Sequence, residues 1–151
     1  MNSLEFRKYL SLLQEISGTL AKLASVQQEK ARAVRLDDLR GLDVCMKQEQ
    51  AIGMTLRGCE QKRVASLASL GLQGSNLGAL CDLAPEDCRR EALETVEELN
   101  LQYRYYRSAS EVARNTLECN LHEIEKVLKD LGKSMEDGVE IPGTLHRDFR
   151  A

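Results

Sequence analysis

Apolar side chains recur along most of this chain at alternating steps of three and four, and that spacing leaves little choice of fold. From Phe6 the series runs through Leu10, Leu13, Ile16 or Ser17, Leu20, Leu23, Gln27, Ala31 and Val34, a seven-residue repeat kept for about four heptads. Residues three and four apart share one face of an α-helix. A sustained seven-residue period is the mark of helices packed along a shallow left-handed supercoil. Many-stranded β folds need turn residues every 8 to 12 positions. This chain has only two prolines, Pro85 and Pro142, so its first 84 residues lack the strongest helix breaker. With 4% aromatic residues and no Trp, the core must be built from aliphatic side chains.

Arg35-Leu36-Asp37-Asp38 interrupts the first run. Either Asp can accept hydrogen bonds from the free N–H groups of a new helix, which predicts a tight turn and an N-cap here. The second seam reads Leu39, Leu42, Met46, Glu49, Ile52 or Gly53, Leu56, Cys59, Arg63, Leu67 and Leu70. It is more polar than the first and carries Gly41, Gly53 and Gly58, each costing about 1 kcal/mol relative to Ala in a helix interior. This second helix is expected to be the least stable long one, with Gly71 as its stop.

Residues 71 to 85 are the one composition break in the body, with a short helix expected over 77–83 and Pro85 suited to open another. The third long helix is expected over 86–131, with Gly132 as its stop and Glu86, Asp87 and Glu91 at the positive end of its dipole. Its seam reads Cys88 or Arg89, Ala92, Val96, Leu99, Tyr103, Tyr106, Ser110, Ala113, Leu117, Asn120 or Leu121, Ile124, Leu128 and Leu131. Residues 133–151 are polar and show no period, which predicts a mobile tail. The expected fold is all-α: an elongated antiparallel three-helix coiled-coil bundle with one short extra helix, residues 1–132 forming the bundle and 133–151 the tail.

Length arithmetic locates a candidate site. At 1.5 Å per residue the first two helices span roughly 45–50 Å each and the third nearly 70 Å. If the third helix runs antiparallel to the second, about three turns at its C-terminal end lie beyond the hairpin. Leu117, Leu121, Ile124, Val127, Leu128 and Leu131 then form an apolar strip that nothing in the body covers, and such strips mark interaction surfaces. The tail offers Ile141, Leu145 and Phe149 as a cover for the strip in the free protein. An amphipathic helix of another protein is the expected occupant; burial in a homodimer or under the 77–83 helix is the alternative.

Other functional classes find little support. The net charge of −3 lacks the basic excess of a nucleic-acid binder. Tyr103-Arg104-Tyr105-Tyr106-Arg107 mixes aromatic and basic residues, but on a helix Tyr103 and Tyr106 fall on the apolar seam. No apolar run nears the roughly 18 residues of a membrane span, and the N-terminus lacks a signal-peptide core. A cytoplasmic protein with no membrane insertion is expected. The cysteines, Cys45, Cys59, Cys81, Cys88 and Cys119, imply no disulfide framework and read as small buried hydrophobes. Cys119 and His122 sit three apart, a spacing that permits joint metal ligation, but Cys81 and Cys88 lie some 45 Å away along the chain's helix. No phosphate loop, nucleophile elbow or di-iron motif occurs, so neither cofactor nor catalysis is expected. Glu125 with Lys129 and Glu86 with Arg90 read as helix-supporting pairs.

Glu29-Lys30-Ala31-Arg32-Ala33-Val34, followed by Asp37-Asp38-Leu39, Leu42, Lys47 and Leu70-Gly71-Leu72, resembles the FlgN-type flagellar export chaperones over roughly residues 4 to 131. In that family a Glu, a small-aliphatic pair and an Asp at the hairpin turn recur at similar spacing, and a Leu-Gly pair often closes the second helix. The family's closely spaced third-helix asparagines are not matched, since Ser110 and Ala113 stand near those places and Asn115 and Asn120 are displaced. The resemblance implies a cytoplasmic chaperone of type III secretion that binds flagellar hook-associated (hook-filament junction) proteins before export, largely through its C-terminal part, with the flagellar export apparatus as a further partner. The alternative from another class is a structural or regulatory coiled-coil homodimer without an export client.

Overall fold

A computed structural model describes residues 2–138, and all regular structure among them is helical. The helices are α1 (Ser3–Arg35), α2 (Leu39–Ser69), α3 (Leu77–Leu83) and α4 (Arg89–Gly138), with a single 3-10 turn over Glu86–Cys88 leading into α4. None of the described helices is long and apolar enough to cross a membrane.

Local chemistry explains the breaks. The Asn2 side chain accepts the Leu4 N–H at 2.9 Å and opens α1. The two aspartates of the hairpin turn divide the labour. Asp37 adopts a left-handed backbone (φ 53°), and the Asp38 N–H returns to the Ala33 carbonyl at 2.8 Å, closing α1. The Asp38 side chain then accepts the Gly41 N–H at 2.9 Å and opens α2. Gly71 (φ +70°) ends α2 in the same way, with the Leu72 N–H bound to the Leu67 carbonyl. Asn76 caps α3 through the Ala79 N–H at 2.7 Å.

The expected third helix differs at both ends. It starts at Arg89, because Pro85 opens a 3-10 turn, and it continues through Gly132 to Gly138. A glycine weakens a helix by about 1 kcal/mol but does not stop one unless the next turn folds back. Residues 133–138, expected in the tail, are therefore helical; Ile141, Leu145 and Phe149 lie outside the described residues.

Packing centres on α1, which α2 lines on one side and α4 on the other, while α2 and α4 make no comparable approach to each other. Within the expected three-helix bundle, the third long helix thus packs along α1 and not along both members of the hairpin. With two neighbours, α1 buries a wider arc than one seam. Thr19, Val26 and Ala33, spaced by seven, add a second buried line to the first. With one neighbour, α2 buries only Cys45, Cys59 and Leu67 fully. Met46 and Leu39, both expected in its seam, are exposed, and Cys45 takes the place of Met46. On α4, Tyr103 is exposed rather than in the seam, because no second helix covers that edge; Ala113 is buried as expected, and Ala109 joins it on the opposite side of the seam.

The closed end holds the main core. Phe6, Tyr9 and Leu13 of α1 pack with Leu67 of α2, Leu80 of α3, and Cys88 and Ala92 at the start of α4. Polar ties align the same end. The Ser3 hydroxyl donates to Asp87 Oδ1 at 2.8 Å, and Arg7 Nε donates to Glu91 Oε2 at 3.4 Å. The hydrogen bond from Ser3, aided by the Arg7 charge, holds the Asp87 carboxyl below its ordinary range. Between α1 and α2, Lys30 Nζ meets Glu49 Oε2 at 3.0 Å. Of the expected helix-supporting pairs, Arg90 joins Glu94 at 3.3 Å instead of Glu86, and Glu125–Lys129 is not among the ion pairs of the described residues.

Leu13→Ala removes a fully buried side chain and is expected to cost about 2–5 kcal/mol in urea unfolding. The glycines of α2 separate by sign. A Cβ at Gly53 or Gly58 meets nothing, so each change to Ala is expected to stabilise by about 0.5–1 kcal/mol. At Gly41 it collides with the Asp38 carboxylate that caps α2, so Gly41→Ala is expected to lower the melting temperature. Because the Asp87 pKa is depressed on folding, its contribution is complete at neutral pH and lost as pH falls below about 4. Asp87→Asn should flatten the acid limb of a stability-versus-pH curve relative to wild type.

Candidate functional site

The site follows from two lengths and one alignment. Asp87 lies opposite Ser3 and Glu91 opposite Arg7, so α4 runs in the same direction as α1 with a constant offset of 84 positions. Carried along α1, that offset sets Arg35, its last residue, level with Cys119. About 19 residues of α4, roughly 28 Å, then extend beyond the tip of the hairpin. Burial follows the geometry. Ala113 is 1% exposed and is the last fully buried residue of α4 among those described; Leu117 is half-buried.

All six residues expected to bind a client lie on this free end or at its root. Leu121, Ile124, Val127 and Leu131 are exposed at 56, 48, 63 and 44%, and Leu128 is half-buried. Taking about 100° per residue, Leu117, Leu121, Ile124, Val127, Leu128 and Leu131 fall within about 70° of their mean direction. That direction continues the line of Leu99, Tyr106 and Ala113, which faces α1 in the body. The strip is thus the face that α1 covers further down, left open where α1 has ended. It is not covered by α3, which packs at the opposite end of α4.

Charged residues of both signs surround this strip. Glu123 and Asp130 border one edge, and Glu118 and Glu125 border the other. None of these carboxylates joins an ion pair among the described residues. Lys126 and Lys133 fall on the back of the helix, and Lys129 follows Glu125 one turn on along the same side. Sequence reasoning missed the hairpin tip, where Leu36 and Leu39 are both exposed at the level from which α4 emerges. The available signal was a leucine on each side of the Asp37-Asp38 turn.

The remaining candidates carry no assembled chemistry. Cys119 and His122 are exposed, and no group of three or more metal-ligating side chains occurs among the described residues. Cys119 thereby departs from the expected buried cysteines, as does half-buried Cys81. Burial pushes the Cys45 and Cys81 thiols up, with nearby carboxylates adding to it, the opposite of nucleophile activation. Arg63 is clamped by Glu60 through bonds of 2.8 and 2.6 Å, which keep the Glu60 carboxyl below its usual range. Burial raises the pKa of the neighbouring Tyr9 phenol, and its hydroxyl has no hydrogen-bond partner. A groove of about 400 Å³ between α1 and α2, lined by Lys22, Val26, Glu29 and Ile52, brings no reactive groups together. Comparison with protein families, curated proteins and solved structures finds no match.

Exposure of the strip makes a direct prediction. Leu121→Ala and Ile124→Ala should each change stability by less than about 0.5 kcal/mol, the range of surface substitutions. Leu99→Ala, on the same face but under α1, should cost about 2–5 kcal/mol in the same urea titration.

Proposed function

We propose that this chain is a binding protein rather than an enzyme, and that it acts as a cytoplasmic export chaperone of the FlgN type. Its clients on this reading are hook-associated proteins of the bacterial flagellum, held through amphipathic helices before type III export and then passed to the export apparatus. The observation that carries the reading is the free end of α4, an apolar helix face left open beyond the hairpin. The family resemblance points to the same end of the chain. An elongated, supercoiled antiparallel three-helix body belongs to the same proposal: the heptad spacing supports it, and it serves as a rigid mount for the strip.

The mechanism is one of substitution. Amphipathic helices with exposed apolar stripes associate prematurely, because each buried methylene stabilises association by about 0.8 kcal/mol. A client helix laid on Leu121, Ile124 and Leu128 hides its stripe against α4 instead. The contact is reversible, and the body supplies the solubility.

The paired change Leu121→Asp and Leu128→Asp tests this. Pull-down of hook-associated proteins by the variant should fail, while its circular dichroism and urea midpoint stay close to wild type. Retention of the client places the site elsewhere. Loss of folding assigns the strip to the core and favours the coiled-coil homodimer without a client.

A further inference from the structure

The body is held tightly at its closed end and loosely at the hairpin tip, and the looseness falls on one element. We infer that the outer half of α2, from the Asp37-Asp38 turn to Gly53, is a flap that unfolds locally and refolds while α1 and α4 stay paired, with Lys30–Glu49 as its latch. Opening uncovers the line of Val26 and Ala33 on α1, at the end of the body from which the free end of α4 emerges. The use of the flap, a wider apolar face near the strip, rests on the docking role proposed above; its opening does not.

Four observations converge on this stretch. The main core ends before it: on α1 the cluster stops at Leu20, and on α2 its outermost member is half-buried Leu56. Between Leu39 and Gly53 only Cys45 is fully buried, while Val44 and Met46 are about half exposed. Gly53 stands at the inner boundary, and a Cβ there meets nothing, so packing does not require a glycine. A glycine inside a helix favours the unfolded chain. A groove of about 400 Å³, lined in part by Val26 and Ile52, separates α1 from this same part of α2.

The latch and a buried amide complete the picture. Lys30 Nζ meets Glu49 Oε2 at 3.0 Å, and that pairing, carried along the antiparallel hairpin, sets Gln27 level with Ile52. Gln27 is buried and its amide nitrogen has no partner. A buried donor without a partner disfavours the closed state, and lifting the flap lets water reach it. α1 does not follow, because α4 still covers it: Ala24 and Ala31 are buried level with Ala109 and Ala113. Segments with few buried apolar contacts are those that open below the free energy of global unfolding.

Native-state hydrogen exchange of the full chain, read by mass spectrometry across a urea series, tests the inference. Amides of 43–53 should exchange at least about tenfold faster than those of 59–69 and of 23–34, through an opening nearly insensitive to low urea. Gly53→Ala should slow the outer stretch by about two- to fivefold, the effect of one helix glycine. Gly58→Ala, on the anchored side, should leave that rate unchanged at low urea. Glu49→Gln releases the latch and should speed exchange of 43–53 by up to about fivefold without altering 59–69. If 43–53 exchanges with the rate and urea dependence of 59–69, α2 opens in one piece with the body and the flap is overturned. It is equally overturned if 23–34 exchanges together with 43–53, or if the two glycine changes act alike. None of these outcomes involves a client, so the docking role stands or falls separately, on the pull-down with Leu121→Asp and Leu128→Asp.

Discussion

The layer of side chains at the closed end, where Phe6, Tyr9 and Leu13 meet Leu80, Cys88 and Ala92, determines where everything else lies. It sets the first turns of α1 and α4 side by side and pointing the same way. The exposed ties of Arg7 to Asp87 and Glu91 add alignment more than energy, since surface ion pairs are worth little. Once two helices of 33 and 50 residues start level and run together, the longer one must outrun the shorter. The free end of α4 is a consequence of that shared origin.

Having α1 in the middle distributes stability unevenly. α1 buries two lines of side chains and is held from both sides, while α2 is held from one and carries Gly53 and Gly58 in its interior. Even α1 is not packed perfectly, since the Ser17 hydroxyl and the Gln27 amide nitrogen are buried without partners. Each such group costs about 1–3 kcal/mol relative to a satisfied one. The weaker α2 can change without moving the free end, because α4 takes its position from α1 and α3.

The seven-residue spacing made the helices, the turn at Asp37-Asp38 and the stop at Gly71 legible before any coordinates. It also located the strip, because helix length needs only a count of residues. What the spacing could not tell is how many neighbours a helix has. A seam marks the centre of a buried face and not its width, so Thr19 and Val26 were invisible as core. Cys45 and Met46 differ by about 100° on α2, and only the position of α1 decides that the smaller one is buried. Tyr103 failed for the same reason: a ring at the edge of the seam is covered only if a second helix stands there, and α2 does not.

Asn120 marks where the body gives way to the free end. It falls on the apolar line between Leu117 and Ile124, level with the hairpin tip, and is half-buried. An amide there can still reach water, whereas one turn further into the body it would lie under α1 and need a protein partner. A polar residue at a seam position discourages a helix from sliding past it, as in coiled coils whose register a single Asn sets. Asn120 therefore opposes any shift that would carry α1 up over the strip. The leucines beyond it stay outside the chain's own hairpin, exposed to water, and the carboxylates that accompany them help keep that face soluble.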